Sequence, residues 1–451
     1  METTYSSIGV ELEFLLCIAE SDSLMKTPRR FRDSGAPLIL PAGVRRYENI
    51  ISHIISRVQR TINNALLGLR KPGDRVVQSD AQALADPEAL HLRPYLRWNI
   101  GTDPSFSLPQ AIKDKEQYID EYRWYPTEIS SPALWATEAS WEEIGAVVKA
   151  VKNEFWVITP PDAGTHYHYG YGKDYIPCGK LRRIAALLFA ADPIMVQLHP
   201  KYRRNRESCL SNRLYSRGAH GRSAAALSRE IGAGNIEVEP EDSARSTIPS
   251  SFLMSFPRPV RERGHGLMIP FKRGELTGYT FSEALFGSSG YLQDNADDVR
   301  PADIPSVVHE LLQCPNAPTV AELMRFSSDA EDRPAYSFRA YTLGIYKHVI
   351  RSNGEINVNF QNKRTIEFRQ MASTMISDEV VAHGKIIVKL CEFAAEAALS
   401  DFWKVVLDCT VAELTGNWFD VFDLFAELAL VSEARILQHA VARSRAETTS
   451  E

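Results

Sequence analysis

The residues best placed to do chemistry sit in pairs along short extended segments. Side chains alternate faces along a strand, so residues i and i+2 point the same way. In Val10-Glu11-Leu12-Glu13-Phe14 both glutamates share one face and the apolar residues take the other. Thr165-His166-Tyr167-His168-Tyr169 repeats the arrangement with two histidines, and Ile366-Glu367-Phe368-Arg369 with an acid and an arginine. Asn357, Asn359 and Gln361 share a face opposite Ile356, Val358 and Phe360, and Glu128 with Ser130 makes a shorter case. Two adjacent carboxylates repel unless something neutralises them. A divalent cation does so, and Mg²⁺ prefers oxygen ligands while keeping waters and phosphates. A sheet face carrying carboxylates, imidazoles and arginines suits a nucleoside triphosphate handled through metal ions.

The plain alternative is an antiparallel sheet with one solvated face. It explains any one strand well and the set poorly, because such faces carry Lys, Thr and Ser rather than Glu and His pairs. The usual nucleotide loops are missing. Gly172-Lys173 has Tyr167 where the first glycine of a P-loop belongs and Asp174 where Ser or Thr belongs, and no GxGxxG follows a strand. A zinc hydrolase built on His166 and His168 is a second reading, weakened by the lack of further histidines in comparable strands. A catalytically silent ligand-binding relative is a third.

Taken in order, the motifs resemble those of the amidoligases, a family grouped with glutamine synthetase and glutamate-cysteine ligase. Gly9-Val10-Glu11-Leu12-Glu13-Phe14 is similar to the family's G-x-E-x-E-F, and Glu128-Ile129-Ser130-Ser131-Pro132 to its E-[IL]-x-S-P. Gly164 to Gly170 resembles G-x-H-x-H-x-G, and Thr365 to Arg369 resembles [ST]-x-E-[FV]-R, with Thr374 as a downstream Thr. Trp98, Asp103 and Ser105 resemble a W-x(n)-D-x-S segment. The resemblance implies that Glu11, Glu13, Glu128, His166 and Glu367 hold Mg²⁺ (Mn²⁺ as the alternative). It implies that His168 lies near the ATP phosphates and that Arg369 contacts the transferring γ-phosphate. The implied reaction phosphorylates a carboxylate with ATP, and an amine then displaces phosphate to give an amide. Asp103 and Glu128 are the candidates to take the proton of the incoming ammonium. Only Glu128 stands where glutamine synthetases carry further metal-binding glutamates.

Other candidates are weaker. Arg203, Arg204 and Arg206 follow a helix and read either as contacts to phosphate or substrate carboxylate or as a solvated basic loop. Arg339 has the same functional reading on a thinner case. Tyr167, Tyr169 and Tyr171 read as packing under the sheet in preference to stacking on adenine. His199 and His220 read as surface or loop residues.

The elements that position these residues follow from periodicity. Strands are expected at Gly9 to Leu16, Leu96 to Gly101, Glu128 to Ser131, Phe155 to Thr159, Thr165 to Gly170, Glu355 to Gln361 and Lys363 to Ala372, with a turn at Asn353-Gly354. Ile50, Ile51, Ile54, Ile55, Val58, Ile62 and Leu66 mark a helix over Tyr47 to Leu67. Ser140 and Glu143 have the spacing of a capping box that starts a helix running to about Val151. A helix from Lys180 to Ala191 is expected to stop at Pro193, and another spans Ile304 to Leu312. Residues 201–250 read as a long loop or insertion, and 378–442 as a helical part packed on the core, with Ile386, Ile387, Leu390, Phe393 and Ala394 as a core stripe. The fold class is α+β: one domain over 1–451, with a curved, mostly antiparallel sheet whose polar face holds the site and whose other face carries helices. The resemblance makes it similar to a glutamine synthetase catalytic domain.

Composition fits this reading. Of 451 residues, 44% are hydrophobic and 24% charged, as in ordinary globular proteins, and the net charge of -6 gives no general attraction to nucleic acid. No apolar run approaches the roughly 18 residues of a membrane span, and Glu2, Glu11 and Glu13, with no basic residue before the first apolar run, argue against a secretory signal. Six scattered cysteines without a CxxC pair read as reduced thiols of a cytoplasmic protein. The expected partners are a small-molecule carboxylate and an amine, with self-association left open.

Overall fold

The computed structural model describes residues 6–20, 26–32, 35–44, 46–67, 69, 77–79, 97–172, 174–203, 207–232, 301–326, 333–343, 363–415 and 419–449. The strand expected at Glu355 to Gln361, the turn before it, Arg204 and Arg206 lie outside these residues. The fold is mixed α+β, and the chain divides into two compact units. One comprises 1–167 and 371–384, the other 168–370 and 385–451.

The first unit is organised around β1 (Ser7–Glu20), which also pairs in parallel with β2 (Leu38–Leu40). On one side, β3 (Val77–Ser79) pairs in parallel with β4 (Trp98–Gly101), and β4 pairs antiparallel with β5 (Arg123–Ser130). β5 then lies antiparallel to β1, with Glu13 opposite Glu128 and Glu11 opposite Ser130. The short β6 (Leu134–Trp135) and β7 (Val157–Ile158) also pair antiparallel with β1. On the other side, the Glu13 N–H donates to the Gly164 carbonyl at 3.2 Å, just before β8 (Thr165–Gly170) begins.

Alternation predicts one wet face for β1, and the structure buries both. Val10, Leu12, Phe14, Leu16 and Ile18 are all 0 or 1% exposed. Beyond Glu11 and Glu13, the other face continues as Leu15, Cys17 and Ala19, sealed by Phe31, Phe106, Tyr122 and Trp156. Stacking of Phe31 on Trp156 at 4.9 Å closes this cluster.

The helix over Tyr47–Leu66 buries Ile50, Ile54, Val58, Ile62 and Leu66, a stripe at four-residue spacing that gives one apolar face, and it packs beside the helix Glu138–Glu154. The capping box expected in the latter does not form. Thr137 is the N-cap, three residues earlier than the box requires, and it makes no side-chain cap bond. Glu143 lies inside the helix and accepts a 2.7 Å hydrogen bond from Trp98 Nε1 instead. A buried indole N–H needs an acceptor, and that long-range demand outweighs the local signal.

In residues 371–384, Tyr167 is fully buried, donates to the Val380 carbonyl at 2.8 Å and stacks on His383 at 5.4 Å. Packing is therefore its role, as periodicity suggested. The chain crosses closely here: a Cβ on Gly384 would meet Trp141 at 2.8 Å and Tyr167 at 3.2 Å. Burial holds the His383 imidazole down at about 4, from an ordinary 6.5. A depressed histidine leaves the folded state binding fewer protons than the unfolded chain between these values. Its contribution to stability is full above pH 6.5 and is lost as the pH falls toward 4. It predicts a loss of about 2 kcal/mol from this residue on going from pH 7.5 to pH 5. Urea titrations at both pH values should show a shallower acid slope in His383→Phe, and an unchanged slope would refute the assignment.

The second unit is mostly helical. Cys178–Met195 runs straight past Pro193, which the sequence marked as its limit. The proline sits in the last turn, where few later residues depend on the helix path it disturbs. Ile304–Leu312 and Ala317–Met324 pack against Cys178–Met195. Helices Leu399–Thr415, Val421–Glu427 and Val431–Thr449 follow Ser377–Glu396, whose later part, including buried Ile386, Ile387 and Leu390, belongs to this unit. Within the stretch read as a long loop, Lys201–Arg203, Glu207–Cys209, Asn212–Tyr215 and Ala224–Glu230 are helical. His199, read as a surface or loop residue, lies in a bend after a helix and is buried. Lys363 to Ala372 contributes a short strand only, β10 (Ile366–Phe368), paired antiparallel with β9 (Tyr336–Ser337).

Asp192 is buried in the first of these helices, and burial pushes its carboxyl above the ordinary value. Three donors offset part of that cost: Ser211 Oγ at 2.5 Å, the Arg213 N–H at 3.0 Å and Gln370 Nε2 at 2.9 Å. Asp192→Ala strands all three and is expected to cost about 3 kcal/mol. Asp192→Asn is expected to cost less than about 1 kcal/mol. Its amide oxygen keeps Ser211 and Arg213, and the Gln370 amide can turn to meet the new NH₂. Denaturant unfolding of both variants checks this, and equal losses would mean that the charge itself is what matters.

No helix among the described residues is long and apolar enough to cross a membrane.

Candidate active site

In the first unit, β1, β5 and β8 bring carboxylates and an imidazole onto one face. His166 Nδ1 lies 3.5 Å from Glu11 Oε2 and 3.5 Å from Glu13 Oε1. The side chains are 14% exposed for Glu11, 8% for Glu13 and 7% for His166, so water does not wash this cluster as it would a plain polar face. Glu13 is fixed further, because the Gly164 N–H donates to its Oε2 at 2.6 Å. The first glycine of the Gly164 to Gly170 motif thus holds the second acid of the Glu11/Glu13 pair. Antiparallel partners share a face, so Glu128, opposite Glu13, and Ser130, opposite Glu11, lie on the same side. Ser130 Oγ donates to Glu128 Oε1 at 3.0 Å. Asn99 and Gly101 extend that side onto β4.

Some motif residues also brace the backbone. Ser131 Oγ accepts the Val10 N–H at 2.9 Å and donates to the Pro132 carbonyl at 2.8 Å, stitching the end of β5 to β1. Asp103 Oδ1 accepts the Ser105 N–H at 2.9 Å and shapes the turn after β4. Thr374 Oγ1 accepts the Ile376 N–H at 3.2 Å and donates to Glu379 at 2.9 Å, where the helix Ser377–Glu396 begins. Trp98 points to the side opposite Asn99, where it meets Glu143.

The second unit carries the remaining motif residues. A ring nitrogen of His168 and a carboxylate oxygen of Glu367 lie within 4.8 Å of each other. His168 Nδ1 is 3.2 Å from Thr365 Oγ1, and Lys363 Nζ is 3.2 Å from its Nε2. A neutral ring with its proton on Nδ1 satisfies both contacts. In sequence Lys363 reads only as the first residue of an expected strand, although its place just before the Thr365 to Arg369 motif was a usable signal. Arg369 pairs with Glu367 through Nη1, and its Nε donates to the Ser208 carbonyl at 3.2 Å. Arg203, read from sequence either as a phosphate or carboxylate contact or as part of a solvated basic loop, is 2% exposed and donates to the Arg369 carbonyl at 2.7 Å. Tyr171 accepts from Lys180 at 3.2 Å, and Tyr169 is buried. Arg339 and His220 are exposed.

Residues 6–217 match the family model described as "Putative amidoligase enzyme". This part of the chain is similar to that family. The amidoligase match takes in Glu11, Glu13, Glu128, His166, His168 and Arg203, and it ends before Glu367 and Arg369. No curated protein and no solved structure matches the chain.

Proposed function

We propose that this protein is an ATP-dependent carboxylate-amine ligase that forms an amide through an acyl phosphate. The observation that carries the reading is the convergence of Glu11 and Glu13 on His166 Nδ1, 3.5 Å from each, on a face largely closed to water. The amidoligase match supplies the reaction class.

The residues fit a hard divalent cation. Glu11 and Glu13 offer adjacent carboxylates, Glu128 adds a third opposite Glu13, and a single imidazole completes the donor types. That set favours Mg²⁺ or Mn²⁺ over a softer ion. In this reading Glu11, Glu13, Glu128 and His166 hold the metal, and Glu367 keeps the ligand role that its motif implies. Bound metal neutralises charge on the ATP phosphates.

The protein's own groups supply the rest. Arg369, held by Glu367 and the Ser208 carbonyl, offers its planar guanidinium to the transferring phosphoryl group. His168 lies with the phosphates, and Arg204 and Arg206 are further candidates to contact them. Phosphorylation gives the substrate carboxylate a good leaving group. Glu128 or Asp103 takes the ammonium proton, so that a neutral amine attacks. The acid is an amino acid, a small peptide or a natural-product acid, a class that fits the reaction. A catalytic sheet of the glutamine synthetase kind and a cytoplasmic setting complete the reading.

A phosphate-release screen with MgATP against paired panels of amino acids and amines tests it. ADP and phosphate should form only when both substrates are present. Release of AMP would indicate adenylation instead. Zinc-dependent hydrolysis without ATP would replace the ligase with a hydrolase.

A further inference from the structure

Arg203 stands apart from the basic residues that follow it in sequence. Its side chain is 2% exposed, so it is not available to a substrate as the Arg203-to-Arg206 cluster suggested. Its Nη2 donates at 2.7 Å to the main-chain carbonyl of Arg369. The Arg369 N–H is held by the Ala335 carbonyl at 2.9 Å, so both sides of that residue's backbone are fixed. The segment carrying Arg203 also supplies the Ser208 carbonyl that accepts from Arg369 Nε. It is closed on itself by Cys209 Sγ, which donates to the Arg203 carbonyl at 3.0 Å. One residue further along, Gln370 is tied to buried Asp192 at 2.9 Å. A buried guanidinium that bonds a carbonyl is costly to desolvate, and an apolar side chain would fill the same space more cheaply.

We infer that Arg203 is a positioning residue, which fixes the backbone of Arg369 and, with the Ser208 carbonyl, sets the direction of the Arg369 guanidinium. The inference rests on the ligase reading for its catalytic consequence, though the contacts themselves do not. Directional precision matters because a misplacement of about 1 Å at a reacting centre costs on the order of 100-fold in rate.

Arg203→Lys keeps the charge and removes the planar fork. Arg203→Gln removes the charge and keeps an amide donor. Each variant is checked by circular dichroism and melting temperature, and rates are expressed per folded molecule. Arg203→Lys should lower kcat by about 10- to 100-fold at nearly unchanged KM for ATP. In an Arg369→Lys background the same substitution should have almost no further effect, because its route of action is already gone. Multiplying effects in the double variant would overturn the inference, as a purely structural role or a direct substrate contact gives that result. A readout independent of turnover is the ¹⁵N Nε–H signal of Arg369, assigned by its loss in Arg369→Lys. It should move or broaden in both Arg203 variants. An unmoved signal overturns the positioning role whatever the rates show. A moved signal in a protein with no ATP turnover sustains the role and discards the ligase reading instead.

Discussion

Glu11→Ala is expected to lower metal-stimulated phosphate release by at least about 100-fold while leaving the fold intact. Glu11 is the more exposed acid of the pair, and the Gly164 N–H that ties β1 to β8 is held by Glu13. Its removal therefore spares the β1 to β8 connection. It also relieves repulsion between two neighbouring carboxylates, so the melting temperature without metal should stay level or rise. Titration with Mn²⁺ should show weakened binding in parallel with the lost rate. A fully active Glu11→Ala would end the metal assignment. Glu13→Ala is a poorer test, since it also strands the buried Gly164 N–H, and loss of activity there could reflect loss of structure.

The second large effect is expected at Arg369. Arg369→Lys keeps a positive charge and should still cost about 100-fold or more in kcat. The arginine answers Glu367 and the Ser208 carbonyl with two nitrogens, and among the described residues Nη2 makes no protein hydrogen bond. A lysine ammonium cannot meet both partners in the same geometry and still face a phosphoryl group. The loss should fall on kcat with little change in KM for ATP, because the contact strengthens as charge spreads over the transferring group. Steady-state phosphate release gives both constants, and a kcat within a few-fold of wild type would remove Arg369 from the chemistry.

The sequence made these faces legible because a strand's period of two is local. Glu11 with Glu13 and Glu367 with Arg369 could be paired without knowing any neighbour. The Tyr47–Leu66 helix was legible for the same reason, its stripe of isoleucines recurring within one element. What covers a face is not local. Nothing in Leu15-Leu16-Cys17 says that Phe31 and Trp156 arrive from distant segments to seal the side on which the acids lie. Glu143 had the spacing of a cap, and its partner was an indole 45 positions away. Arg203 looked like a surface cation because its neighbours in sequence are basic, whereas its partner is the backbone at 369. Pro193 marked a stop by a rule that governs helix interiors, and it was placed too near the end for the rule to matter.

The sealing of β1 on both faces bears on how this strand can change over generations. Substitutions are tolerated most readily where a side chain meets water, and β1 has almost no such position between Val10 and Ala19. Packing constrains one set of residues there, and the two acids occupy much of what is left. Glu13 is kept in part by its bond to the Gly164 N–H, whereas removing Glu11 from such a place makes the fold easier to keep, so selection for its chemistry is what preserves it. A descendant freed from that selection should lose Glu11 first, to an apolar residue, while Val10, Leu12 and Phe14 stay as they are. Among chains of this kind, the residue at position 11 would then separate working copies from those that keep only the shape.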